Sequence, residues 1–150
     1  MLSIGDWNSL DSTVTEIIVG GGVSQPGLTE LDLSRFSQLK QLEIGSFCFG
    51  FVSTLKLIGL SELESVVVGM NSFVEDKNSY GGLSEGSFYL KDCPKLRSLK
   101  IGRYSFNGYT VIEIENVDAL ETIEIGHLNY ESGNFYSAPL ELKSILIHKE

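Results

Sequence analysis

The segment LRSLKIG at residues 96–102 places Leu96, Leu99 and Ile101 in the spacing L-x-x-L-x-I and closes with Gly102. Five further copies, the last without the glycine, lie at residues 14–20, 39–45, 63–69, 120–126 and 142–147. The last apolar residues of successive copies are 25, 24, 33, 24 and 22 residues apart. A pattern that returns at such intervals indicates a repeat architecture, in which every unit buries its apolar side against its neighbours.

A second, shorter apolar pattern lies between the copies of the first and ends 11 residues before the next main copy ends. Its copies are Leu31-x-Leu33, Leu55-x-Leu57, Phe88-x-Leu90 and Ile112-x-Ile114. We interpret Leu2-x-Ile4 as a candidate earlier copy. Both patterns alternate apolar and polar residues, which is typical of short strands with one buried side.

These patterns predict a mostly β protein, namely a curved solenoid of parallel strands with few or no long helices. Each repeat of about 24 residues would contribute two short strands, one to each of two parallel sheets. Residues 1–150 would form a single domain of about six repeats, with an insertion at about 74–87 in the one long interval. A parallel β-helix is the alternative fold.

Composition excludes several classes of function. The 150 residues are 42% hydrophobic, which suffices for the core of one domain. The formal net charge of −9 argues against binding a phosphate backbone, so we expect no nucleic-acid partner. No apolar run approaches the roughly 20 residues of a membrane helix, so we expect no membrane insertion. The first residues have no basic start, and we expect no signal peptide there.

The main pattern resembles the strand signature of leucine-rich repeats. Segments of the form I-G-x-x-S-F and the sequence Cys93-Pro94-Lys95-Leu96 also resemble the irregular BspA-like repeats of bacterial and protist surface proteins. The I-G-x-x-S-F segments, two of them degenerate, lie at residues 44–49, 68–73, 101–106 and 125–130. The resemblance implies a leucine-rich-repeat scaffold that binds proteins or surfaces, often within a longer chain, without enzymatic activity. The resemblance also implies a location at the cell surface. Unpaired cysteines and the expected absence of a signal peptide fit a cytoplasmic location equally well.

The chain departs from the usual leucine-rich repeat in the turn after each main strand. That turn ordinarily carries Asn or Cys three residues after the last strand position, and here only Asn71 conforms. Another group must therefore satisfy the backbone of the turns. The sequence also places glycine directly after five main strands, which predicts positive φ or close backbone stacking at Gly20, Gly45, Gly69, Gly102 and Gly126.

Two further sets of residues recur with the repeat. The aromatic set predicts a stacked ladder in the core in preference to a ligand cage, and it comprises Phe49, Phe73, Phe106 and Tyr130. The two cysteines fall at different positions of the repeat. Cys48 aligns with Ser72 and Ser105, whereas Cys93 aligns with apolar residues, so we expect free thiols and no disulfide.

Catalytic and metal-binding patterns find little support. His127 and His148 are the only histidines, and neither accompanies a nucleophile and an orienting group. Metal-ligand spacings such as C-x-x-C are absent from the sequence. Residues 76–81 copy the start of a calcium loop, but Ser87 stands where a bidentate Glu is needed. We therefore predict no enzyme, no metal and no cofactor, and we interpret the insertion as a solvated loop or a protruding binding loop.

The solvent side of the main sheet is the candidate binding surface, because it carries apolar residues where polar ones would be safe. Its mixed, small side chains suit a broad protein partner better than a small molecule. The candidate residues are Glu16, Ile18, Gln41, Glu43, Ser65, Val67, Met70, Ser98, Lys100, Arg103, Thr122, Glu124 and His127.

Two alternatives remain open from the sequence. A structural or adhesive cell-surface repeat protein would have the same repeats without any single binding site. The ends at 1–4 and 140–147 are apolar and repeat-like, without a helical cap, so end-to-end self-association is a second hypothesis.

Overall fold

The computed structural model describes residues 4–74, 86–126, 134 and 141–143, with side chains from Trp7 onward up to residue 134. One short helix precedes ten strands along the chain. The elements are α1 (Ile4–Ser9), β1 (Glu16–Val19), β2 (Glu30–Asp32), β3 (Gln41–Ile44), β4 (Thr54–Ile58), β5 (Ser65–Val68), β6 (Gly86–Lys91), β7 (Ser98–Ile101), β8 (Tyr109–Glu115), β9 (Thr122–Ile125) and β10 (Glu141–Lys143).

The strands form two five-stranded parallel sheets, and successive strands of the chain alternate between them. The first sheet has the order β1-β3-β5-β7-β9, and the second has the order β10-β8-β6-β4-β2. Each pass through both sheets is one layer, and from β1 to β9 the chain completes about four turns of a β-solenoid. The predicted class, a mostly β solenoid of parallel strands with almost no helix, is confirmed.

Alternating hydrophobicity explains which side of each strand is buried. In β1 the side chains of Ile17 and Val19 are buried, whereas Glu16 and Ile18 are exposed. Residues at equivalent positions of successive strands, here called a row, are paired in register across the first sheet, so Ile17 neighbours Leu42 of β3. The inward apolar side chains of β1 to β8 belong to one hydrophobic core cluster, which removes them from water together, whereas Ile123 of β9 is 40% exposed.

Three glycines after the main strands allow close stacking of successive layers. A Cβ on Gly45, Gly69 or Gly102 would lie 2.6, 2.5 or 2.4 Å from a backbone nitrogen of the preceding layer. None of the three has a positive φ, whereas Gly126 has φ +76°. Of the two explanations that the sequence offered, close stacking applies within the array and positive φ applies at Gly126.

The sixth main copy is wrong in its first residue. Leu142 lies in β10 and pairs with Ile114 of β8, which places it in the second sheet in register with Leu90 and Leu57. Residues 140–142 read Leu-x-Leu and match the second pattern as well as the first, and the pairing with β8 selects the second. Residues 144–147 lie outside the described residues.

The amino-terminal prediction is also wrong, because Ile4 begins a helix and not a strand. The helix brings Trp7 onto the core, where it is 5% exposed and its ring centroid lies 5.8 Å from that of Phe49. Arg35 holds this segment by donating hydrogen bonds to the carbonyl oxygens of Trp7 and Leu10. This end of the solenoid therefore has a helical cap.

The predicted insertion at 74–87 is shorter than expected at its far end. Gly86 and Ser87 belong to β6, and Ser87 pairs with Thr54 of β4. A Cβ on Gly86 would lie 2.5 Å from the ring of Tyr109, so this strand start requires glycine. Residues 75–85, including the calcium-loop-like segment, lie outside the described residues.

Candidate functional site

The structure places the strand residues of the candidate surface together on the solvent face of the first sheet. Two outward rows cross this face, and both follow the strand pairing in register. The polar row is Glu16, Gln41, Ser65, Ser98 and Thr122; the central row is Ile18, Glu43, Val67, Lys100 and Glu124. All ten side chains are exposed or half-buried.

The central row combines charged and apolar side chains. Ile18 is 56% exposed, and Val67 is half-buried on the central strand β5. Glu43 and Lys100 lie on the strands to either side of Val67. The Lys100 ammonium lies 4.0 Å from a carboxylate oxygen of Glu124, so one ion pair already forms on the face. Such an exposed pair contributes about 0–1 kcal/mol to stability.

The other candidates lie in the turns after the main strands. Met70 and Arg103 are half-buried, and the backbone N–H of Met70 donates to the hydroxyl of Ser46 over 3.1 Å. The Arg103 guanidinium lies 5.7 Å from the ring centroid of Tyr104, a cation–π distance. His127, the remaining candidate, lies outside the described residues.

Sequence analysis missed two exposed aromatic residues beside this face, Phe47 and Tyr104. They are 62% and 38% exposed, and their φ angles are +60° and +62°. A side chain with a Cβ costs about 1–2 kcal/mol in this left-handed conformation. The equivalent position in the turns after second-sheet strands is held by Gly59, Asp92 and Asn116, residue types that tolerate positive φ.

Burial does not offset that cost at Phe47 as it does elsewhere. Phe49, Phe73 and Phe106 also have left-handed φ angles, but each is at most 1% exposed. Their rings form the predicted core ladder, with centroids 5.4 and 4.9 Å apart along the series. The ladder is confirmed for these three residues, and Tyr130 lies outside the described ones. Strained positions that are not offset by packing are concentrated at functional sites.

The sequence does mark the turns at Phe47 and Tyr104, because one residue in each departs from the leucine-rich-repeat pattern. Phe47, Asn71 and Tyr104 occupy the position where such repeats carry Asn or Cys. Their exposure could not be read from the sequence, because Phe49 and Phe106, two residues further along, are buried aromatics of the same kind.

Hydroxyl and thiol groups satisfy the backbone of these turns. The Ser72 hydroxyl donates to the Gly45 carbonyl over 2.8 Å and accepts from the Cys48 N–H over 3.1 Å. Ser105 repeats both contacts one layer further, at 2.6 Å to the Gly69 carbonyl and 3.0 Å from the Ser72 N–H. The Cys48 thiol donates to Gly20 and the Asn134 amide donates to Gly102. We call this set of side chains, Cys48, Ser72, Ser105 and Asn134, the serine ladder. It provides the hydrogen bonds to the turn backbone that the sequence required from a group not yet identified.

Removing one rung of the ladder should be costly. We expect Ser72→Ala to lower the free energy of unfolding by about 2–3 kcal/mol, because a buried N–H and a buried carbonyl lose their partner. Urea denaturation measures the change. Ser53→Ala is the matched control, since the Ser53 hydroxyl makes an exposed bond to Thr29. Equal losses in the two variants would contradict the role of the ladder.

Both cysteines are free, as the repeat positions predict, and both are fully buried. The Cys93 thiol donates to the carbonyl oxygens of Lys91 and Leu57 over 3.3 and 3.7 Å. Burial raises the pKa of this thiol from its ordinary value of 9.0 to about 11. A protonated, inaccessible thiol is a poor nucleophile.

The raised pKa of Cys93 predicts slow labelling and a loss of stability in alkali. At pH 8, a shift of two pKa units leaves about 100-fold less thiolate, so native Cys93 should react with iodoacetamide at least that much more slowly than in urea. Between pH 9 and 11 the unfolded thiol ionises while the folded one does not, so stability falls as pH rises. Cys93→Ala should show less of this decline, and an unchanged decline would rule out Cys93 as its source.

A shallow cavity of about 440 Å³ lies away from the candidate face, at the turns that lead into the main strands. It is lined by Glu64, Pro94, Lys95, Arg97 and Ala119. The Lys95 ammonium is already engaged at its rim with Glu62 over 2.8 Å, and this contact lowers the pKa of the Glu62 carboxyl. An open cavity with few apolar side chains lacks what small-molecule sites use for affinity.

Other site types find no support in the described part of the chain. Within residues 4–74, 86–126, 134 and 141–143, no group of three His, Cys, Asp or Glu side chains could hold a metal ion. In the same residues, no helix is long and apolar enough to cross a membrane. No family model, curated protein or solved structure matches the chain. The class is therefore defined by fold and surface alone: a β-solenoid with a mixed apolar and charged sheet face.

Proposed function

We propose that this β-solenoid is a protein-interaction module without enzymatic activity, which presents the solvent face of its first sheet to a protein partner. The observation that carries the proposal is the exposure of apolar side chains on and beside this face, chiefly Ile18 and Phe47. Phe47 bears the cost of a left-handed backbone while 62% exposed, so folding alone does not account for it.

The chemistry of the face suits a protein better than other partners. Phe, Tyr, Met and Arg are enriched in protein interfaces, and all four occur in the turns at its edge: Phe47, Met70, Arg103 and Tyr104. The cavity lined by Glu64, Pro94 and Arg97 includes none of the candidate residues of the face. The BspA-like leucine-rich-repeat resemblance supports the same class and remains part of the proposal.

Site-directed photo-crosslinking in cells of the natural source tests the proposal. A photoreactive amino acid at Ser65, on the face, should give a discrete adduct that Val67→Glu abolishes. The same amino acid at Thr54, at the start of a second-sheet strand, is the matched control and should give none. Equal adducts at both positions, or none at either, would favour the alternative of a structural or adhesive repeat protein.

A further inference from the structure

The central row of the first sheet is complementary to itself about strand β5. Glu43 on β3 and Lys100 on β7 are both in register with Val67 on β5, one strand away on either side. Consider a two-fold axis parallel to β5, lying above Val67. It would place Glu43 of one copy opposite Lys100 of the other, and the reverse pair follows by symmetry.

We propose that the partner of this face is a second copy of the chain, joined face to face about that axis. The proposal rests on the proposed function, because it uses the same surface, and it names the partner. Val67 would meet Val67 at the centre of the interface, with the two opposite-charge pairs around it. Complementary charges of this kind fix the register of an association and favour the correct partner.

The polar row agrees with the same axis. Ser65 would lie opposite Ser65, and Gln41 opposite Ser98, so the three central strands bring no like charges together. An axis parallel to the sheet but perpendicular to the strands would keep each strand opposite itself. Above the central row, that axis would oppose Glu43 with Glu43 and Lys100 with Lys100. The charge pattern therefore selects the axis along β5.

The exposed aromatic residues also fall on the two sides of this axis. Phe47 lies in the turn after β3 and Tyr104 in the turn after β7, with Asn71 between them in the turn after β5. The axis would bring the turn carrying Phe47 opposite the turn carrying Tyr104, twice. Two aromatic contacts in the dimer supply the burial that Phe47 lacks in the single chain.

The area of the face determines how stable a dimer we expect. Five strands about 4.8 Å apart, each of four residues at about 3.3 Å, cover about 320 Å² per copy before the turn residues are included. Standard stable interfaces bury about 800 Å² per partner, so we expect a weak dimer whose population depends on concentration. Outside the central strands Ile18 would lie opposite Glu124, so β3, β5 and β7 carry the pairing.

Sedimentation across a concentration series from about 10 µM to about 1 mM tests the pairing. The unaltered chain should shift from monomer towards dimer. Glu43→Lys and Lys100→Glu should each weaken the dimer at least tenfold, because both create like-charge pairs. The combined variant Glu43→Lys with Lys100→Glu should restore it. Glu30→Lys is the control, with the same change of charge on the second sheet. A monomer at all concentrations, or a swap that fails to restore the dimer, would overturn the proposal.

Oxidative crosslinking provides a second readout that does not depend on charge. Val67→Cys places a thiol next to the axis in both copies and should form a disulfide-linked dimer. The native Cys48 and Cys93 are fully buried and should not interfere. Thr54→Cys on the second sheet is the matched control. If Val67→Cys crosslinks no faster than this control, the face-to-face pairing is wrong. The proposed function would survive that result wherever Ser65 photo-crosslinks to a protein of different mass.

Discussion

Phe106→Ala should lower the free energy of unfolding by about 3–5 kcal/mol, one of the two largest losses expected for a single substitution in this chain. The Phe106 ring is fully buried where three other rings meet. Its centroid lies 4.9 Å from that of Phe73, 4.8 Å from that of Phe88 and 5.0 Å from that of Tyr109. Truncation therefore removes a large apolar area and leaves a cavity between two sheets whose strands are fixed by their pairing.

Phe47→Ala is the matched control for that experiment. Phe47 shares the left-handed backbone of Phe106, with φ +60° in both, but it is 62% exposed. We expect a change within about 0.5 kcal/mol at concentrations where the chain is monomeric. Urea denaturation of the two variants measures both values. Similar losses would mean that the backbone conformation, and not the buried ladder, accounts for the effect at Phe106.

Gly69→Ala is expected to lower the free energy of unfolding by about 4 kcal/mol or to prevent folding. The added Cβ would lie 2.5 Å from the backbone nitrogen of Ser46 and 2.7 Å from the carbonyl carbon of Gly45. Backbone atoms cannot move aside as the end of a side chain can. The layers would have to separate, which also lengthens the strand pairing and the neighbouring rungs of the serine ladder.

Gly20→Ala tests whether that loss comes from layer contact. Gly20 occupies the same row, but a Cβ there would have no atom within 4 Å. Its φ is not positive either, so alanine should change stability by no more than about 0.5 kcal/mol. A large loss at Gly20 would contradict the explanation from stacking and point to a general need for glycine in these turns.

The repeat pattern predicted the sheets well because strand burial has a period of two. The predicted inward residues Ile17, Leu42, Val66 and Leu99 are all at most 4% exposed in the structure, whereas Ile123, predicted inward in β9, is 40% exposed. The outward residues of the candidate face followed from the same alternation. Whether the face binds a protein stays a prediction, because position on a surface does not reveal a partner.

The sequence predictions failed where one residue fits two patterns, or where the backbone angle φ determines the structure of a turn. Leu142 fitted both strand patterns, and only pairing with Ile114 distinguishes them. Ile4 fitted a strand by spacing, but the burial of Trp7 favours a helix there. The left-handed turns at Phe47 and Tyr104 were hidden, because their residue types do not favour positive φ.

The serine ladder also bears on the order in which the layers can form during synthesis. Each rung hydroxyl, such as that of Ser105, reaches back to a carbonyl of the layer made before it, here Gly69. During synthesis from the amino terminus, every new layer therefore meets an acceptor that is already positioned by the segment ahead of it. The helix with Trp7 precedes every rung in the chain. A chain built this way can assemble one layer at a time as it leaves the ribosome, with few long-range searches left for the finished polypeptide.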